Sequence, residues 1–514
     1  YNNGEIIFTQ DSEKITVKSV SSIVVGEDYV GGVIGFNDIK GKLDVHYTLI
    51  GGRIHAYGNA AGGCIGLNAS TEILDRELSV RPSSVTGVYY VGGCIGANVV
   101  ALAGDTVMDG FRADNALGSV TGTAFTGGVI GYQRTYTPEQ LAGFAGTEAE
   151  SGLLDYLDAA GATEDITAAA GEGALGRQFG VPDTAAGTGG GALLPTLGAG
   201  NVPTEVMRSA NGYTLTIGNR KNGKDSVNND NNNIPVSADF YVGGIVGYCE
   251  RGSRLILKYC RNAGNLSRQA GFASGVLLKT YLASGEVNAD VSDLGDMDIS
   301  VSIGGGIIGA NLDNQVIDGC VNTGIMNGFI GLGGIVGFNA GGVFNCHLND
   351  NFGNAGLDYI GGIAGLNVHA RDASMGNAAA GLEKVDGYKS LHQYESGMIS
   401  QCTTAEKKNI SGGSYVGGIV GYNMAQACVD SNINRANVTA AGDYAGGIAG
   451  ANRGRVLVSS SVGNTGECVI SGKSGTGIGG IVGYNRLGGE IDVAGEGYIG
   501  EVVAVGPVVS VDGK

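Results

Sequence analysis

The nine-residue stretch YVGGIVGYN, from Tyr415 to Asn423, recurs from one end of the 514-residue chain to the other. The copies share a GG pair at the third and fourth positions and a glycine at the seventh, and all but two of them end in Asn. Close copies are YVGGVIGFN (Tyr29 to Asn37), YVGGCIGAN (Tyr90 to Asn98), YVGGIVGYC (Tyr241 to Cys249), YIGGIAGLN (Tyr359 to Asn367), YAGGIAGAN (Tyr444 to Asn452) and GIGGIVGYN (Gly477 to Asn485). Looser copies are AAGGCIGLN (Ala60 to Asn68), FTGGVIGYQ (Phe125 to Gln133), IGGGIIGAN (Ile303 to Asn311) and GLGGIVGFN (Gly331 to Asn339). One short unit repeated in this way predicts a repeat architecture.

The second glycine of each GG pair sets the period of the repeat. Adjacent markers such as Gly306, Gly334 and Gly362 lie about 28 to 31 residues apart. A gap of twice that length separates Gly244 from Gly306, and it predicts a degenerate copy around Gly275. With that copy included, the chain should contain about thirteen rungs and form a rod roughly 60 Å long.

The composition of the unit favours strands. β-Branched residues and short apolar runs alternate with Gly and Asn, and helical apolar spacing is absent. A propeller, an up-and-down barrel and a parallel β-solenoid can each be built from repeated strands. A propeller blade needs about 40 residues, which is longer than this unit. The period therefore predicts an all-β fold, a parallel β-helix (β-solenoid) with three short strands per rung of about 28 to 31 residues.

Stacked rungs explain why one residue type keeps one position in the repeat. The asparagines that close the phrase are predicted to form an inward ladder that tolerates left-handed backbone geometry and hydrogen-bonds between rungs. These are Asn37, Asn68, Asn98, Asn311, Asn339, Asn367, Asn423, Asn452 and Asn485. The GG pair is expected where a Cβ atom would block a turn or a close approach.

Two stretches lack the phrase and divide the chain. The first, 135–239, is predicted to be an insertion rich in Ala and Gly and partly helical, because Thr137 and Pro138 form a helix start signal. The second, 368–398, is a shorter insertion. The predicted organisation is thus solenoid rungs at 1–134, 240–367 and 399–514, the last with C-terminal strands, interrupted by these two insertions.

Bulk composition excludes several partners. The net charge of −18 opposes binding to nucleic acid and to anionic lipid. No apolar run approaches the roughly 18 residues that a membrane helix needs, so no membrane insertion is expected. The chain begins at Tyr1 without an initiator Met, and we interpret it as a processed chain or a segment of a longer one.

Six of the nine cysteines occupy two positions of the repeat. Cys64 and Cys94 share one position, whereas Cys260, Cys320, Cys346 and Cys402 share another, in a second phrase whose copy at Ile317 to Gly324 has the full form V/I-x-x-C-x-N-x-G. We expect buried, unpaired thiols stacked in columns, because free Cys packs as a small hydrophobe. A disulfide between neighbours such as Cys320 and Cys346 is the alternative. No C-x-x-C pair is present, so zinc is not expected.

Other residue types with catalytic potential are scattered. The five histidines show no metal-binding spacing. The acidic run of Asp290, Asp293, Asp296 and Asp298 is interpreted as a solvated loop rather than a pair of catalytic carboxylates. We therefore predict no catalytic, cofactor-binding or metal-binding residues, no cofactor and no enzyme activity.

The GGIVGYN phrase followed by the N-x-G stretch resembles the GLUG repeat of bacterial surface proteins, which include adhesins and regions of IgA-cleaving peptidases. The resemblance covers roughly three quarters of the chain, because both half-motifs recur in order. It implies a β-solenoid that is secreted or attached to a bacterial cell surface. It does not imply peptidase activity, since no catalytic metal motif stands in these residues.

The leading hypothesis is a non-enzymatic extracellular protein, an adhesin stalk or a structural subunit of an appendage or filament. Its partners would be host or environmental glycans or proteins, or copies of itself joined end to end where open rungs expose pairing edges. The alternative is a polysaccharide-acting enzyme built on the same β-helix. The insertions are expected to carry the contacts, because loops of a solenoid project from one face.

Overall fold

The strands of this chain pair in parallel and are arranged in stacked sheets. The computed structural model describes residues 5–8, 23–38, 41–45, 52–75, 79–102, 104, 106–109, 111–136, 215–218, 231–249, 253–269, 302–311, 315–348, 353–369, 397–406, 408–459, 463–464, 469–472 and 477–494. Within these residues every regular element is a β-strand, so the prediction of an all-β parallel β-helix is confirmed.

Three sheets of eleven strands run the length of the stack. The first, here the lead sheet, contains Ile23–Gly26, Arg53–Ala56, Ser84–Thr86, Val120–Thr121, Val236–Ala238, Leu266–Arg268, Ile325–Asn327, Gly353–Ala355, Asn409–Gly412, Asn437–Ala440 and Ile470–Gly472. The second, the GG sheet, contains Val30–Gly31, Asn59–Gly62, Tyr89–Gly92, Ala124–Gly127, Phe240–Gly243, Gly304–Gly305, Leu332–Gly333, Ile360–Gly361, Val416–Gly417, Ala445–Gly446 and Ile478–Gly479.

Each copy of the phrase ends in a strand of the third eleven-stranded sheet, here the Asn sheet. It contains Ile34–Asn37, Ile65–Asn68, Ile95–Ala101, Ile130–Tyr136, Val246–Cys249, Ile308–Asn311, Val336–Asn339, Ala364–Asn367, Val420–Asn423, Ala449–Asn452 and Val482–Asn485. The recurring phrase is therefore one strand of the GG sheet, a bend and one strand of the Asn sheet.

Two further sets of strands complete each coil. The return sheet follows the Asn sheet and has a nine-stranded part: Thr106–Asp109, Leu215–Gly218, Leu255–Lys258, Val316–Asp318, Gly342–Phe344, Met398–Ser400, Cys428–Asp430, Arg455–Ser459 and Glu490–Ala494. At the same position near the N-terminus lie Glu5–Phe8, Lys42–Val45 and Ile73–Asp75. The corner strands are Ser79–Val80, Arg112–Ala113, Arg261–Asn262, Val321–Asn322, His347–Leu348, Ile433–Asn434 and Gly463–Asn464.

Each coil has more strands than the sequence indicated. A complete turn runs through Ile308–Asn311, Val316–Asp318, Val321–Asn322, Ile325–Asn327 and Leu332–Gly333. The expected three strands per rung are thus replaced by five shorter ones where a corner strand is present and by four in the other rungs. The difference arises because Gly and Asn corners interrupt the chain every few residues, which leaves strands of two to four residues in this turn.

The number of rungs is smaller than expected. Val242 pairs with Gly304 and Gly243 with Gly305, so the rung at Tyr241 lies directly against the rung at Ile303. The prediction of a degenerate rung around Gly275, which lies outside the described residues, is therefore wrong. The described residues form eleven rungs, which at about 4.8 Å each give a stack roughly 50 Å long rather than 60 Å.

The first insertion is shorter than its predicted boundaries. Leu215–Gly218, inside 135–239, pairs with Thr106–Asp109 on one side and Leu255–Lys258 on the other, as a strand of the return sheet. Val236–Ala238 likewise belongs to the lead sheet. The coil therefore resumes before residue 239, because strands without the GG phrase can still add to the ladders. The predicted helix after Thr137 and most of the second insertion lie outside the described residues.

The strands enclose one hydrophobic cluster that continues along the stack. Aliphatic residues of the phrase, such as Ile95, Val242, Ile360 and Val416, are fully buried in it. Burial of each such side chain contributes roughly 1.5–3 kcal/mol relative to exposure. The apolar positions of the repeat thus supply the main driving force for stacking.

The asparagines form the predicted ladder. In each completed step the Nδ2 group of one rung donates to Oδ1 of the next, as in Asn339 to Asn367 at 2.8 Å. The other steps are Asn37 to Asn68, Asn68 to Asn98, Asn311 to Asn339, Asn367 to Asn423, Asn423 to Asn452 and Asn452 to Asn485, at 2.7 to 2.9 Å. A remaining Nδ2 proton often reaches a backbone carbonyl of the next corner, such as Gly341 O from Asn339. Stacking thus satisfies most of the buried amides of the ladder.

The ladder is interrupted at Cys249. Asn98 donates to Gln133, and the next rung places Cys249 in register with Gln133 on one side and Asn311 on the other. Oδ1 of Asn311 is buried and has no hydrogen-bond partner among the described residues. A thiol at this position cannot supply the amide donor that the other rungs supply.

We expect Cys249→Asn to stabilise the protein, because the new Nδ2 group can donate to Asn311 Oδ1 as it does elsewhere in the ladder. The gain should be about 1 kcal/mol in the free energy of unfolding, measured by urea denaturation. Cys249→Ala, which adds no donor, is the matched control and should show no gain. An Asn variant no more stable than the Ala variant would contradict this account.

The first glycine of the GG pair lies at a close backbone approach. A Cβ atom at Gly361 would meet the carbonyl oxygens of Ala364 and Ile419 and the amide nitrogen of Gly421 at less than contact distance. Backbone atoms cannot rotate away as a flexible side chain would. Glycine is therefore required sterically at this position of the rung.

We predict that Gly361→Ala destabilises the protein by more than about 3 kcal/mol, a cost typical of severe backbone clashes. A Cβ atom added at Gly104 would meet no heavy atom of the described residues within 4 Å, so Gly104→Ala is the control and should change stability by less than about 0.5 kcal/mol. Thermal and urea unfolding would measure both. Similar effects of the two substitutions would show that close packing does not explain the GG pair.

Candidate functional site

The aromatic residues of the phrase stack along the outer part of the GG and Asn sheets in two groups. The N-terminal aromatic stack contains Tyr89, Tyr90, Phe125, Tyr132, Tyr241 and Tyr248. The C-terminal tyrosine stack contains Tyr359, Tyr415, Tyr422, Tyr444 and Tyr484. Most of these residues come from the first and eighth positions of the phrase, which successive rungs place side by side.

The first position of the phrase has an unusual backbone. Tyr359, Tyr415 and Tyr444 have φ of 57°, 59° and 66°, in the left-handed region. None of the nine ladder asparagines, all of them described, has a positive φ, so the left-handed geometry that asparagine tolerates is found at the tyrosines instead. The left-handed conformation costs a non-glycine residue roughly 1–2 kcal/mol. Aromatic pairs contribute about 0.5–1.5 kcal/mol beyond burial, which offsets much of that cost.

Ring geometry is regular in the C-terminal tyrosine stack. The ring centroids of Tyr359 and Tyr415 are 4.7 Å apart with an interplanar angle of 9°. Tyr415 and Tyr444 are separated by 5.1 Å, and Tyr444 and Tyr484 by 4.7 Å. Exposure rises along the stack: Tyr359 is 2 % exposed, Tyr415 and Tyr444 are half-buried, and Tyr484 is 40 % exposed. The stack therefore reaches the surface toward its C-terminal end.

Arg486 joins this surface. Its guanidinium donates a 3.1 Å hydrogen bond to the hydroxyl of Tyr422 and lies 5.9 Å from the ring centroid of Tyr484. Burial raises the pKa of Tyr422, and the positive charge of Arg486 opposes that shift. A cation over an aromatic face is worth about 0.5–1 kcal/mol at an exposed site.

Two carboxylates lie near the same tyrosines. Burial raises the pKa of Tyr415, with further contributions from the charges of Asp443 and Asp358. Oδ1 of Asp358 accepts a hydrogen bond of 2.6 Å from the amide of Ser414, which fixes that side chain at the corner. The surface thus combines phenol groups, one guanidinium and two carboxylates. Such groups bind hydroxyl-rich or protein ligands, because Tyr and Arg combine apolar area with directed hydrogen bonds.

The N-terminal aromatic stack differs in exposure. Phe125 and Tyr132 are fully buried, and Tyr241 is 4 % exposed. Phe125 and Tyr241 stack at 5.5 Å with an interplanar angle of 7°. These rings stabilise the coil and offer little surface to a ligand. The C-terminal tyrosine stack is therefore the better candidate for a contact surface.

The cysteines of the second phrase lie in one column. Cys260, Cys320, Cys346 and Cys402 are fully buried and form no disulfide, as expected from the sequence. Each thiol lies within hydrogen-bonding reach of backbone carbonyls at its corner, for example Cys346 Sγ with Phe344 O at 3.2 Å. Burial raises the pKa values of Cys320, Cys346 and Cys402 well above the usual range. Such thiols are poor nucleophiles at neutral pH.

Cys64 and Cys94 also stack on neighbouring rungs. The residues that follow them, Ile65 and Ile95, are in register, and both cysteines are fully buried. The amide of Cys64 donates to the carbonyl of Cys94 at 2.8 Å. Both predicted cysteine positions are therefore parts of the core.

The histidines and acidic residues of the described ranges do not form a metal centre. His55 makes a 2.6 Å hydrogen bond through Nδ1 with Thr86 Oγ1, and burial lowers the pKa of His347. In the ranges that the structure describes, no group of three or more His, Cys, Asp or Glu residues is placed to hold a metal ion. His46, His392 and the acidic run from Asp290 to Asp298 lie outside those ranges.

Searches for relatives return nothing. No protein-family model matches the chain, and no curated protein or solved structure matches it. A search of the described residues for membrane-crossing helices also finds no helix of sufficient length and apolarity. The fold itself defines the class of protein, a parallel β-solenoid.

The tyrosine surface was not predicted. The tyrosines were visible in the sequence as the first and eighth letters of YVGGIVGYN. That spacing could have indicated two neighbouring columns, because residues on either side of a bend can lie close together. Which column reaches the surface depends on neighbouring chain segments, and the phrase alone does not encode it.

The buried phenols should make stability fall at alkaline pH. Burial raises the pKa of Tyr89, Tyr241 and Tyr359 above the value of about 10 for an unfolded phenol. Below pH 10 both states are protonated and the stabilisation is complete. Above pH 10 only the unfolded state loses protons, so the free energy of unfolding falls as pH rises toward the folded-state pKa values.

Urea unfolding at about pH 9 and pH 11, with tyrosinate absorbance recorded in parallel, measures this effect. Tyr241→Phe keeps the ring and removes the ionisable group, so its stability should fall less between the two conditions. Full ionisation of all tyrosines near pH 10 in the folded protein would contradict the prediction.

Proposed function

We propose that this chain is a non-enzymatic bacterial protein, secreted or attached to the cell surface, that acts as an adhesin stalk or as a structural subunit of an extracellular appendage or filament. The observation that carries the proposal is the uninterrupted stack of three eleven-stranded parallel sheets. Such a stack has length and stiffness as its principal properties.

The stacked strands give the chain the extended form that a stalk requires. The first and last described rungs lie at opposite ends of the stack, so the chain spans its full length of roughly 50 Å. Every internal rung is bonded to two neighbours through backbone ladders and, at most rungs, through the asparagine ladder. Repeated bonding of this kind resists bending more than loops between separate domains would.

The C-terminal tyrosine stack supplies a surface for contact. Tyr484 and Arg486 present an aromatic ring, a guanidinium and nearby hydroxyl groups at the surface. These groups suit glycan or protein partners, whether from a host, from the environment or from a second copy of the chain. The negative net charge of −18 disfavours nucleic acid.

The resemblance to GLUG repeats supports an extracellular location. The phrase that carries the resemblance forms the GG and Asn sheets, so the matching residues are those that build the rungs. A polysaccharide-acting enzyme on the same β-helix remains the second candidate. It would require a carboxylate pair at the separation that glycosidic cleavage needs.

A glycan array followed by product analysis would test the proposal. We expect binding without cleavage, and weaker binding by at least threefold for Tyr484→Ala combined with Arg486→Ala. Tyr57→Ala is the matched control, because Tyr57 is 68 % exposed and lies outside both aromatic stacks. Release of shorter glycans would overturn the non-enzymatic assignment. If the unsubstituted chain, the double variant and the Tyr57→Ala control bind glycans equally well, the tyrosine surface is not the binding site.

A further inference from the structure

Four buried thiols stand in line through the core. Cys260, Cys320, Cys346 and Cys402 come from four successive rungs, and the residues that follow them are in register. Arg261 pairs with Val321, Val321 with His347, and His347 with Thr403. The pairing holds the four cysteines at equivalent positions of neighbouring rungs, and all four side chains are fully buried.

The spacing of this column fits a particular coordination geometry. Equivalent atoms of neighbouring rungs are separated by about 4.8 Å. Two metal–thiolate bonds of about 2.3 Å in a straight line span about 4.6 Å. An ion midway between two neighbouring sulfur atoms would therefore meet both at bonding distance with little movement of the backbone.

The geometry points to a binding site for two-coordinate thiophilic metal ions, the class of Hg(II), Ag(I) and Cu(I), between neighbouring thiols of this column. Soft thiolate ligands select such ions. Filling the intervals Cys260–Cys320 and Cys346–Cys402 uses all four thiols, so the column holds two ions. Zinc does not fit, because it requires four ligands around one point and the column offers two.

Proton and charge balance favour a divalent ion. Two thiols and Hg(II) give a neutral S–Hg–S unit and release two protons. Ag(I) or Cu(I) with two thiolates gives a unit of charge −1. Burying a net charge in an apolar core is costly, so the neutral complex should be retained more firmly. Because protons compete for the thiolates, loading should fall as pH falls.

The structural role of the thiols does not by itself require four cysteines. On the next rung Asn432 occupies the equivalent position, and its Nδ2 donates to Ile399 O and Asp430 O at 2.9 Å each. The thiols of Cys402 and Cys346 reach the corresponding carbonyls at 3.2 to 3.9 Å. An asparagine thus satisfies this corner with shorter bonds, and the cysteines add metal-binding chemistry that it lacks.

Two double variants test whether the ion requires thiols on neighbouring rungs. Cys260→Ser with Cys320→Ser leaves Cys346 and Cys402 on neighbouring rungs. Cys320→Ser with Cys402→Ser leaves Cys260 and Cys346 two rungs apart. Both variants keep two thiols in the column. Only the first keeps a pair at the spacing that a linear ion requires.

Each purified protein would be incubated with excess Hg(II), stripped with a small monothiol and weighed by native mass spectrometry, with circular dichroism as the check on folding. Relative to the unsubstituted chain, we expect one ion fewer for the variant with the adjacent pair and two fewer for the variant with the separated pair. Equal losses in the two variants would overturn the proposal. A parallel series with Ag(I) should give the same pattern with fewer ions retained after stripping; equal or greater retention of Ag(I) would refute the charge argument.

A second measurement needs no substitution. The metal-loaded protein would be unfolded, alkylated and mapped by peptide mass. Protection of all four column cysteines, relative to the metal-free protein, is the expected result. Full alkylation of these four, with protection only at other cysteines, would show that the ions bind elsewhere. This measurement decides the proposal if a serine variant fails to fold.

Discussion

Parallel backbone hydrogen bonds hold successive rungs in register at about 4.8 Å, and the other features of this solenoid depend on that spacing. The register places Asn339 on Asn367, Tyr359 on Tyr415 and Cys320 beside Cys346. A side chain therefore contacts its own equivalent on the next rung. Residue types that interact well with themselves are accordingly found at fixed positions of the repeat.

Asparagine, tyrosine and cysteine respond to this constraint in different ways. Asparagine has both a donor and an acceptor, so a column of amides satisfies itself inside the core. Tyrosine rings stack on one another and offset the left-handed backbone at the first position of the phrase. Cysteine has a weak donor and stays buried as a small hydrophobe. At position 249 it stands where other rungs have asparagine, and the side-chain carbonyl of Asn311 has no hydrogen-bond partner within the described part of the chain.

The same repetition produces the tyrosine surface that is the candidate for contact with a partner. The sequence suggested that contacts would come from the insertions, where the phrase is missing. The described rungs themselves bring Tyr484, Arg486 and the tyrosines behind them to the surface. A structural repeat can therefore supply both the length of a stalk and a contact surface, because the residues that stack also present their outer edges.

The sequence by itself determined the all-β class, the parallel stacking, the asparagine ladder and the thiol columns. Each of these depends on a period, and a period is visible in one dimension. Only the tertiary structure decided that a coil has four or five short strands, that Leu215–Gly218 belongs to the stack and that no rung separates Tyr241 from Ile303. These features depend on which segments pair across long gaps in the chain. The free energy of that pairing comes from neighbours in space, so a local pattern such as YVGGIVGYN does not encode it.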